Sequence, residues 1–342
     1  MRVLVTGGAG FIGSAFVRHL IEGRWAALSG SEVVVLDALA IGGTLASLAP
    51  VTGSPRLRVE VGDIRDPALV ARLMTGTDLV VHFAAETHVD RSITDGAPFV
   101  SVNVLGTQVL LEAAVRSGVG KFVQVSTDEV YGSIASGSWP ETQPLDPSSP
   151  YSAAKAGADL LALAYHRTHG LPVCVTRSSN NYGPYQFPEK LIPRFVTRLL
   201  NGLTVPLYGD GQQVRDWLHA SDHCDAVALV AAGGRPGQVY NVGGGTELTN
   251  AELTGRILAA VGADESMVEH VPDRPGHDRR YAINADKIEH QLGWRPAETF
   301  ASGLRRTVEW YLAHQDWVEQ VTSGAYRQWI DLNYAHRGGA AR

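Results

Sequence analysis

The sequence predicts a doubly wound parallel-sheet α/β fold followed by a smaller C-terminal α/β domain. Three observations carry this. Short β-branched runs alternate with longer helical patterns over the first 180 residues. The runs are nearly continuous in apolar residues, not alternating. Strands read that way when both faces are covered, as in a parallel sheet between two helix layers. Past residue 181 the texture changes, and Gly, Pro and aromatics crowd into long loops.

The elements follow in order. RVLV (2–5), EVVVLD (32–37), LRVEVGD (57–63), DLVVHFAA (78–85), KFVQVST (121–127) and VCVTRSS (173–179) are predicted strands. Helical patterns over 11–24, 66–74, 97–118 and 151–169 lie between them. Strand–helix alternation of this kind makes a doubly wound sheet. The stretches NNYGPYQFPEKLIPRF and LYGDGQQVRDWLHASD read as loops. A strand-like GQVYNVGGG (237–245) follows, then helical patterns over 249–262 and 301–320. The expected division is 1–180 and 181–342, with segments near 215–245 returning to the first domain. HRGGAAR is expected to be a frayed tail.

Composition removes several classes. Of 342 residues, 44% are hydrophobic and 19% charged, so a large core is available and disorder is excluded. The net charge of −6 and the absence of a basic block argue against a nucleic-acid surface. Cys174 and Cys224 stand far apart, in no metal-like spacing, which suits a reducing cytoplasm. MRVLVTGGAG runs straight into a strand and a glycine turn, with no cleavable apolar segment, and no run reads as long enough to span a bilayer. His82, His88, His166, His169, His219 and His223 lack accompanying ligands, so no metal is expected. Trp217, Trp294, Trp310 and Trp317 read as packing residues.

The glycine turn TGGAGFIG comes directly after a strand and opens a helix. Gly7, Gly10 and Gly13 allow a tight turn and close backbone approach, and the helix N-terminus then faces a pyrophosphate. This is the Rossmann signature. Asp37 ends the second strand, where a carboxylate accepts from both ribose hydroxyls and repels a 2′-phosphate. With no Arg or Lys in DALAIGG, NAD is favoured over NADP. Asp63 and Ile64 suit the adenine edge. Phe83, Ala84 and Ala85 close the fourth strand, where small alanines let a cofactor lie against the backbone.

VQVSTDEVYG places a hydroxyl and two acids after a buried strand. Asp128 and Glu129 read either as a solvated turn or as a paired acid and base. Further on, Ser148 or Ser149 caps a helix with Pro150 in its first turn and Gly170 past its end. Tyr151 and Lys155 share one face of that helix. A cationic lysine is expected to lower the tyrosine pKa, so that the phenol can take a proton from a sugar hydroxyl as hydride leaves.

TGGAGFIG, YSAAK and the strand-end hydroxyl resemble the extended short-chain dehydrogenase/reductase family. Within it, STDEVYG, SNNYGPYQFPEKLIP, YGDGQQVRDW and DRPGHDRRYA resemble the dTDP-glucose 4,6-dehydratases over residues 1 to about 318. The resemblance implies dTDP-glucose as substrate and NAD as cofactor. It makes Tyr151, with Lys155 and Thr127, the base at the C4 hydroxyl, Glu129 the C5 base and Asp128 the acid at C6. Val102 and Asn181 join the cofactor set. Thr87, Asn180, Glu189, Lys190, Leu191, Pro206, Tyr208, Arg215, Asn250, Arg274 and His277 line the substrate site. Arg215 and Arg274 suit diphosphate oxygens, although Arg215 beside Asp216 also reads as a surface ion pair. The family's usual Thr and Tyr after the strand-end acid are missing from ALAIGG, and Val102 replaces a frequent hydroxyl residue. A homodimer is implied, with helices 97–118 and 151–169 pairing across a twofold axis into a four-helix bundle.

Two other readings stay open. A 4-epimerase, or a dehydratase of another sugar nucleotide, shares most of these motifs but not the Asp-Glu pair. A non-catalytic NAD-binding protein has no chemical need for Thr127, Asp128, Glu129, Tyr151 and Lys155 together.

Overall fold

The computed structural model describes residues 1–273 and 276–322. The expectations for Arg274 and for the C-terminal tail lie outside the described residues.

Seven parallel strands form the main sheet: β1 (Arg2–Thr6), β2 (Glu32–Asp37), β3 (Leu57–Val61), β4 (Leu79–His82), β5 (Lys121–Thr127), β6 (Val173–Ser178) and β10 (Val239–Val242). Their order is β10-β6-β5-β4-β1-β2-β3. The chain reverses direction across the sheet between β1 and β4, and the crevice there is the usual ligand position of such folds. Side chains on the two sheet faces feed two separate cores. One gathers Val3, Val5, Phe16, Leu20, Val227 and Val230 under α1 (Phe11–Glu22) and α8 (Ala220–Gly233). The other gathers Leu4, Val80, Leu110, Leu111, Phe122 and Ala162 under α2 (Pro67–Met74), α5 (Thr107–Ser117) and α6 (Pro150–His169). Burial on both faces explains the continuous apolar runs.

The second half contains more helix than its loop-like composition suggests. α7 (Leu191–Leu200), α8 and α10 (Asp286–Leu292) fall where the sequence reads as irregular. In α7, Ile192, Phe195, Val196 and Leu199 recur at helical spacing and are buried against α9 (Asn250–Val261) and α11 (Phe300–Ala313). Short flanking Gly and Pro motifs mask that period in the sequence. The predicted 301–320 helix is two helices, α11 and α12 (Gln315–Thr322), separated by His314. The 237–245 stretch divides between β10 in the main sheet and the turn before β11 (Glu247–Thr249). β11 joins β9 (Val214–His219) and β7 (Asn180–Tyr182) in a small sheet. Trp217, Trp294 and Trp317 are buried, and Trp310 packs at the edge of the same core as Trp317.

The 97–118 helix is also interrupted. It starts in α4 (Ala97–Phe99), widens into a π-helical segment (Val100–Gly106) and returns to α-helix in α5. Such widenings are frequent at functional sites. Here Asn103 turns toward the end of β4. Its carboxamide accepts from Glu86 N at 2.8 Å and donates to Glu86 O at 3.0 Å. The run Ala97–Ser117 has a mean hydropathy of 1.4, long and apolar enough by composition to cross a membrane, which the sequence reading does not anticipate. Its apolar residues serve two faces. Leu110, Leu111 and Ala114 meet the sheet layer, while Val100 and Leu105 stand exposed on an outer stripe.

Candidate active site

A cavity of about 510 Å³ runs along the C-terminal ends of the strands and into the loops of the second half. Its cofactor end is built by close approach of backbones. Gly7 has φ +69°, and a Cβ there would stand 2.5 Å from Ala84 N. A Cβ on Gly13 would stand 2.2 Å from the Gly7 carbonyl oxygen. The loop therefore presents backbone alone, which a pyrophosphate requires. Asp37 fastens it from the end of β2: Oδ2 accepts from Ala9 N at 2.9 Å and Oδ1 from Leu39 N at 2.8 Å. Behind the loop, Thr6 Oγ1 and His82 Nδ1 lie 2.6 Å apart, and His82 Nε2 is 3.0 Å from Thr107 Oγ1. Burial lowers the His82 pKa to about 3, so the ring is neutral. Gly10, Phe11, Ile12, Asp63, Ile64, Phe83, Ala85, Val102 and Asn181 line the same end. A cradle with no room for side chains, closed by a strand-end acid, fits NAD.

The reacting end lies where β5 stops. Thr127 caps the single 3₁₀ turn Asp128–Tyr131, its hydroxyl accepting from Glu129 N at 3.3 Å. Thr127, Glu129, Tyr151 and Lys155 line the cavity. Asp128 lies behind them, 2% exposed, with Thr127 Oγ1 3.3 Å from Oδ1. Its Oδ2 has no hydrogen-bond partner among the described residues. Burial raises the Asp128 pKa well above the usual carboxyl range. The Glu129 and Asp216 carboxylates add to the rise, and Arg215 and the Thr127 hydroxyl oppose it. These surroundings favour the neutral carboxyl over the carboxylate.

α6 positions Tyr151 and Lys155. Ser149 is its N-cap in a capping box with Ser152, and Gly170 ends it at φ +70°. Lys155 Nζ donates to Val125 O at 2.6 Å. Burial lowers its pKa to about 8, and Asp159 opposes that shift. The expectation that Lys155 lowers the Tyr151 pKa is not met in this structure. Burial pushes the phenol well above 10, Glu129 and Asp128 add to the rise, and a bond from the Thr127 hydroxyl opposes it. Lys155 spends its short contact on the β5 carbonyl.

The substrate end is a set of buried charges. Glu189 meets Arg91 at 2.8 Å and His88 at 3.2 Å. Lys190 Nζ donates to Thr87 O at 2.8 Å. Arg215 is not the surface partner of Asp216, and both are buried. Arg215 donates to Val214 O and Asp278 O and stacks 4.3 Å from the Tyr281 ring centre. Asp216 instead accepts from Gly244 N at 2.8 Å and Thr246 N at 2.7 Å. Asn180 Oδ1 is buried with no hydrogen-bond partner among the described residues. Leu191, Pro206, Tyr208, Asn250 and His277 complete the wall. Tyr281 also lines the cavity and escaped the sequence reading. His88 and His223 line it too, and the sequence raised them only as metal candidates. Tyr281 sits inside the quoted DRPGHDRRYA motif, so its signal was present. His223 reads as a helix residue, and its Nδ1 lies 2.9 Å from Asn181 Oδ1. Among the described residues no group of three or more His, Cys, Asp or Glu is gathered as metal ligands would be.

A glycine cradle, a strand-end acid and a Tyr-x-x-x-Lys helix facing an acid pair define a dinucleotide-dependent enzyme site on a doubly wound sheet. A family model described as GDP-mannose 4,6 dehydratase matches residues 4–307, and the chain belongs to that family. A dTDP-glucose 4,6-dehydratase of Streptomyces antibioticus is 60% identical over 94% of this chain and 95% of its own length. The crystal structure of DesIV, a dTDP-glucose 4,6-dehydratase from Streptomyces venezuelae with NAD and TYD bound, is 60% identical with a TM-score of 0.93, covering 94% of this chain and all of that one. A UDP-glucose 4-epimerase of Thermotoga maritima with UDP-glucose is 33% identical with a TM-score of 0.85, over 92% of this chain and all of that one.

The buried lysine gives a prediction with a definite sign. Its folded pKa of about 8 lies below the unfolded value, so the folded state carries the cost of its charge below pH 8 and sheds it as pH rises toward 10.5. Lys155→Met removes a cost on the order of 3 kcal/mol at neutral pH, offset in part by the Val125 carbonyl left without its donor. The variant is expected to melt higher than wild type at pH 7, with the gain gone above about pH 10, and to lose turnover. Calorimetry across that range checks it. A lower midpoint at every pH contradicts it.

Proposed function

We propose that this chain converts dTDP-glucose to dTDP-4-keto-6-deoxy-glucose and water, with NAD regenerated in each cycle. One observation supports this above the others: a buried Asp128, whose surroundings favour the neutral carboxyl, next to a cavity-lining Glu129, on the wall that faces Tyr151. An oxidation and return at C4 alone needs one base. Removal of water across C5 and C6 needs a second base and an acid beside it.

NAD supplies the hydride chemistry, taking hydride from C4 and giving it back at C6. Everything else falls to the side chains. Tyr151, hydrogen-bonded by Thr127, takes the C4 hydroxyl proton. The Thr127 hydroxyl favours the phenolate against burial, and Lys155 stands one turn along the same helix. Oxidation at C4 acidifies the C5 hydrogen, and Glu129 removes it. The C5–H electron pair forms the C5–C6 double bond as the C6–O bond breaks. Asp128 protonates the departing hydroxyl. Its carboxyl is one hydroxyl away from the cavity, since Thr127 both bonds to it and lines the site. When C6 receives hydride, Glu129 returns a proton to C5. Arg215 and Lys190 meet the diphosphate, and Asn180 offers a buried acceptor to the sugar or diphosphate. The rival 4-epimerase reading leaves Asp128 and Glu129 without a task.

A second copy of the chain covers the outer stripe of the Ala97–Ser117 run. Val100, Leu105 and Leu160 are exposed there, and Ala97, Val104 and Leu161 line a shallow apolar depression between them. A soluble monomer leaves such a patch bare at a cost in solubility. Covering it with the same patch across a twofold axis makes a four-helix bundle. The cysteines are both free and buried, which suits a reducing cytoplasm.

Two tests follow. In deuterated water with dTDP-glucose and catalytic NAD, the product is expected to have lost one water, to carry deuterium at C5 and to leave no net NADH. Water retained with C4 inverted would make this an epimerase. In sedimentation at micromolar concentration, wild type is expected at twice 36.6 kDa and Leu105→Glu at the monomer mass. A wild-type monomer would refute the pairing.

A further inference from the structure

Behind the cavity, one guanidinium joins the two elements that carry the reaction. Arg177 on β6 is 3% exposed. Its Nε donates to Asp159 Oδ2 at 2.9 Å, and its Nη1 donates to the Tyr131 hydroxyl at 2.8 Å. The guanidinium also lies 4.8 Å from the Tyr131 ring centre. Asp159 is fully buried on α6, one turn beyond Lys155 and two beyond Tyr151. Tyr131 closes the 3₁₀ turn that begins with Asp128 and Glu129. Its hydroxyl donates onward to Asn241 Oδ1 at 2.8 Å, and Asn241 Nδ2 donates to Trp139 O at 3.0 Å. One arm of Arg177 therefore holds the Tyr-Lys helix and the other holds the acid–base turn. Arg177, Asp159, Tyr131 and Asn241 lie outside the cavity wall.

A buried ion pair is a poor source of stability, because desolvation offsets most of its attraction. What its geometry does supply is direction. The planar fork directs one N–H at each partner and so fixes their positions relative to each other. The proposed reaction needs that registry. The sugar must meet Tyr151 at C4 and Glu129 at C5 in one pose, and misplacement by about 1 Å costs roughly a hundredfold.

We infer that Arg177, with Asp159 and Tyr131, is a positioning residue that keeps the elimination turn in register with the oxidation helix, so that the 4-ketone is dehydrated where it forms. The inference rests on the proposed dehydratase reading and deepens it. Tyr131→Phe cuts the arm to the turn and leaves the Asp159–Arg177 pair whole. Asp159→Asn weakens the arm to the helix.

The test is single turnover of dTDP-glucose by each holoenzyme, following near-ultraviolet absorbance of reduced nicotinamide, solvent deuterium at C5 by mass spectrometry, and the thermal midpoint. Tyr131→Phe is expected to let reduced cofactor accumulate roughly tenfold above wild type, because elimination lags oxidation, with delayed deuterium entry. Asp159→Asn is expected to slow the appearance of reduced cofactor by roughly tenfold with no accumulation. Equal slowing of both steps in both variants, or a lowered midpoint with both steps unchanged, overturns the inference. If Asp159→Asn fails to fold, Tyr131→Phe decides alone. A wild-type chain that does not turn over dTDP-glucose overturns the dehydratase reading and this inference with it; wild-type turnover with unpartitioned variants overturns this inference only.

Discussion

The placement of one carboxyl behind another is the constraint on which the site depends. Asp128 is sealed in the protein with one oxygen lacking a partner among the described residues, next to Glu129, with Asp216 adding further negative charge. Two carboxyls cannot both ionise cheaply in such a space. Burial favours the neutral form of the one water cannot reach. The fold imposes this asymmetry through a single tight turn: β5 ends at Thr127, the backbone curls once, and successive side chains point to opposite sides of the wall. Asp216 keeps its own position through two backbone N–H groups of the 244–246 turn. The same burial that raises the Asp128 pKa lowers that of Lys155 to about 8, so this layer is costly to fold.

Much of the sheet was legible, because burial on both faces writes itself into strands as unbroken apolar runs. β1, β2, β5 and β6 read that way and fall where expected. The cofactor cradle was legible for a similar reason: Gly7 and Gly13 stand where a Cβ collides with backbone. Legibility ended where structure depends on distant contacts. α7 is helical because Phe195 and Val196 meet α9 and α11, which lie more than fifty residues away. The π-helical segment places Asn103 against the Glu86 backbone, and no local pattern announces it. Tyr281 was in view within a recognisable motif, yet nothing local says that Arg215 stacks on it. The Tyr151–Lys155 spacing was plain, but spacing does not reveal that Lys155 turns to the Val125 carbonyl.

Scaffold and chemistry separate clearly here. A UDP-glucose 4-epimerase shares this architecture with a TM-score of 0.85, so the sheet, the glycine turn and the second domain do not distinguish the two reactions. The proposed reading rests instead on a few atoms at the end of one strand. Asp128 and Glu129 within one turn, beside Tyr151 on the adjacent helix, are the groups the proposed reaction uses. Arg215, Lys190 and Asn180 are those it sets against a sugar nucleotide.

The proposed mechanism needs Asp128 to hold a proton at neutral pH. Infrared difference spectroscopy of wild type against Asp128→Asn at neutral pH measures this directly. Asparagine matches the shape of a protonated aspartate, so the fold is expected to survive the change. The account predicts that a protonated carboxyl C=O band, present in wild type and shifted by deuterium exchange, is missing from the variant. A difference spectrum showing only the loss of an ionised carboxylate would contradict it, because Asp128 would then hold no proton to give.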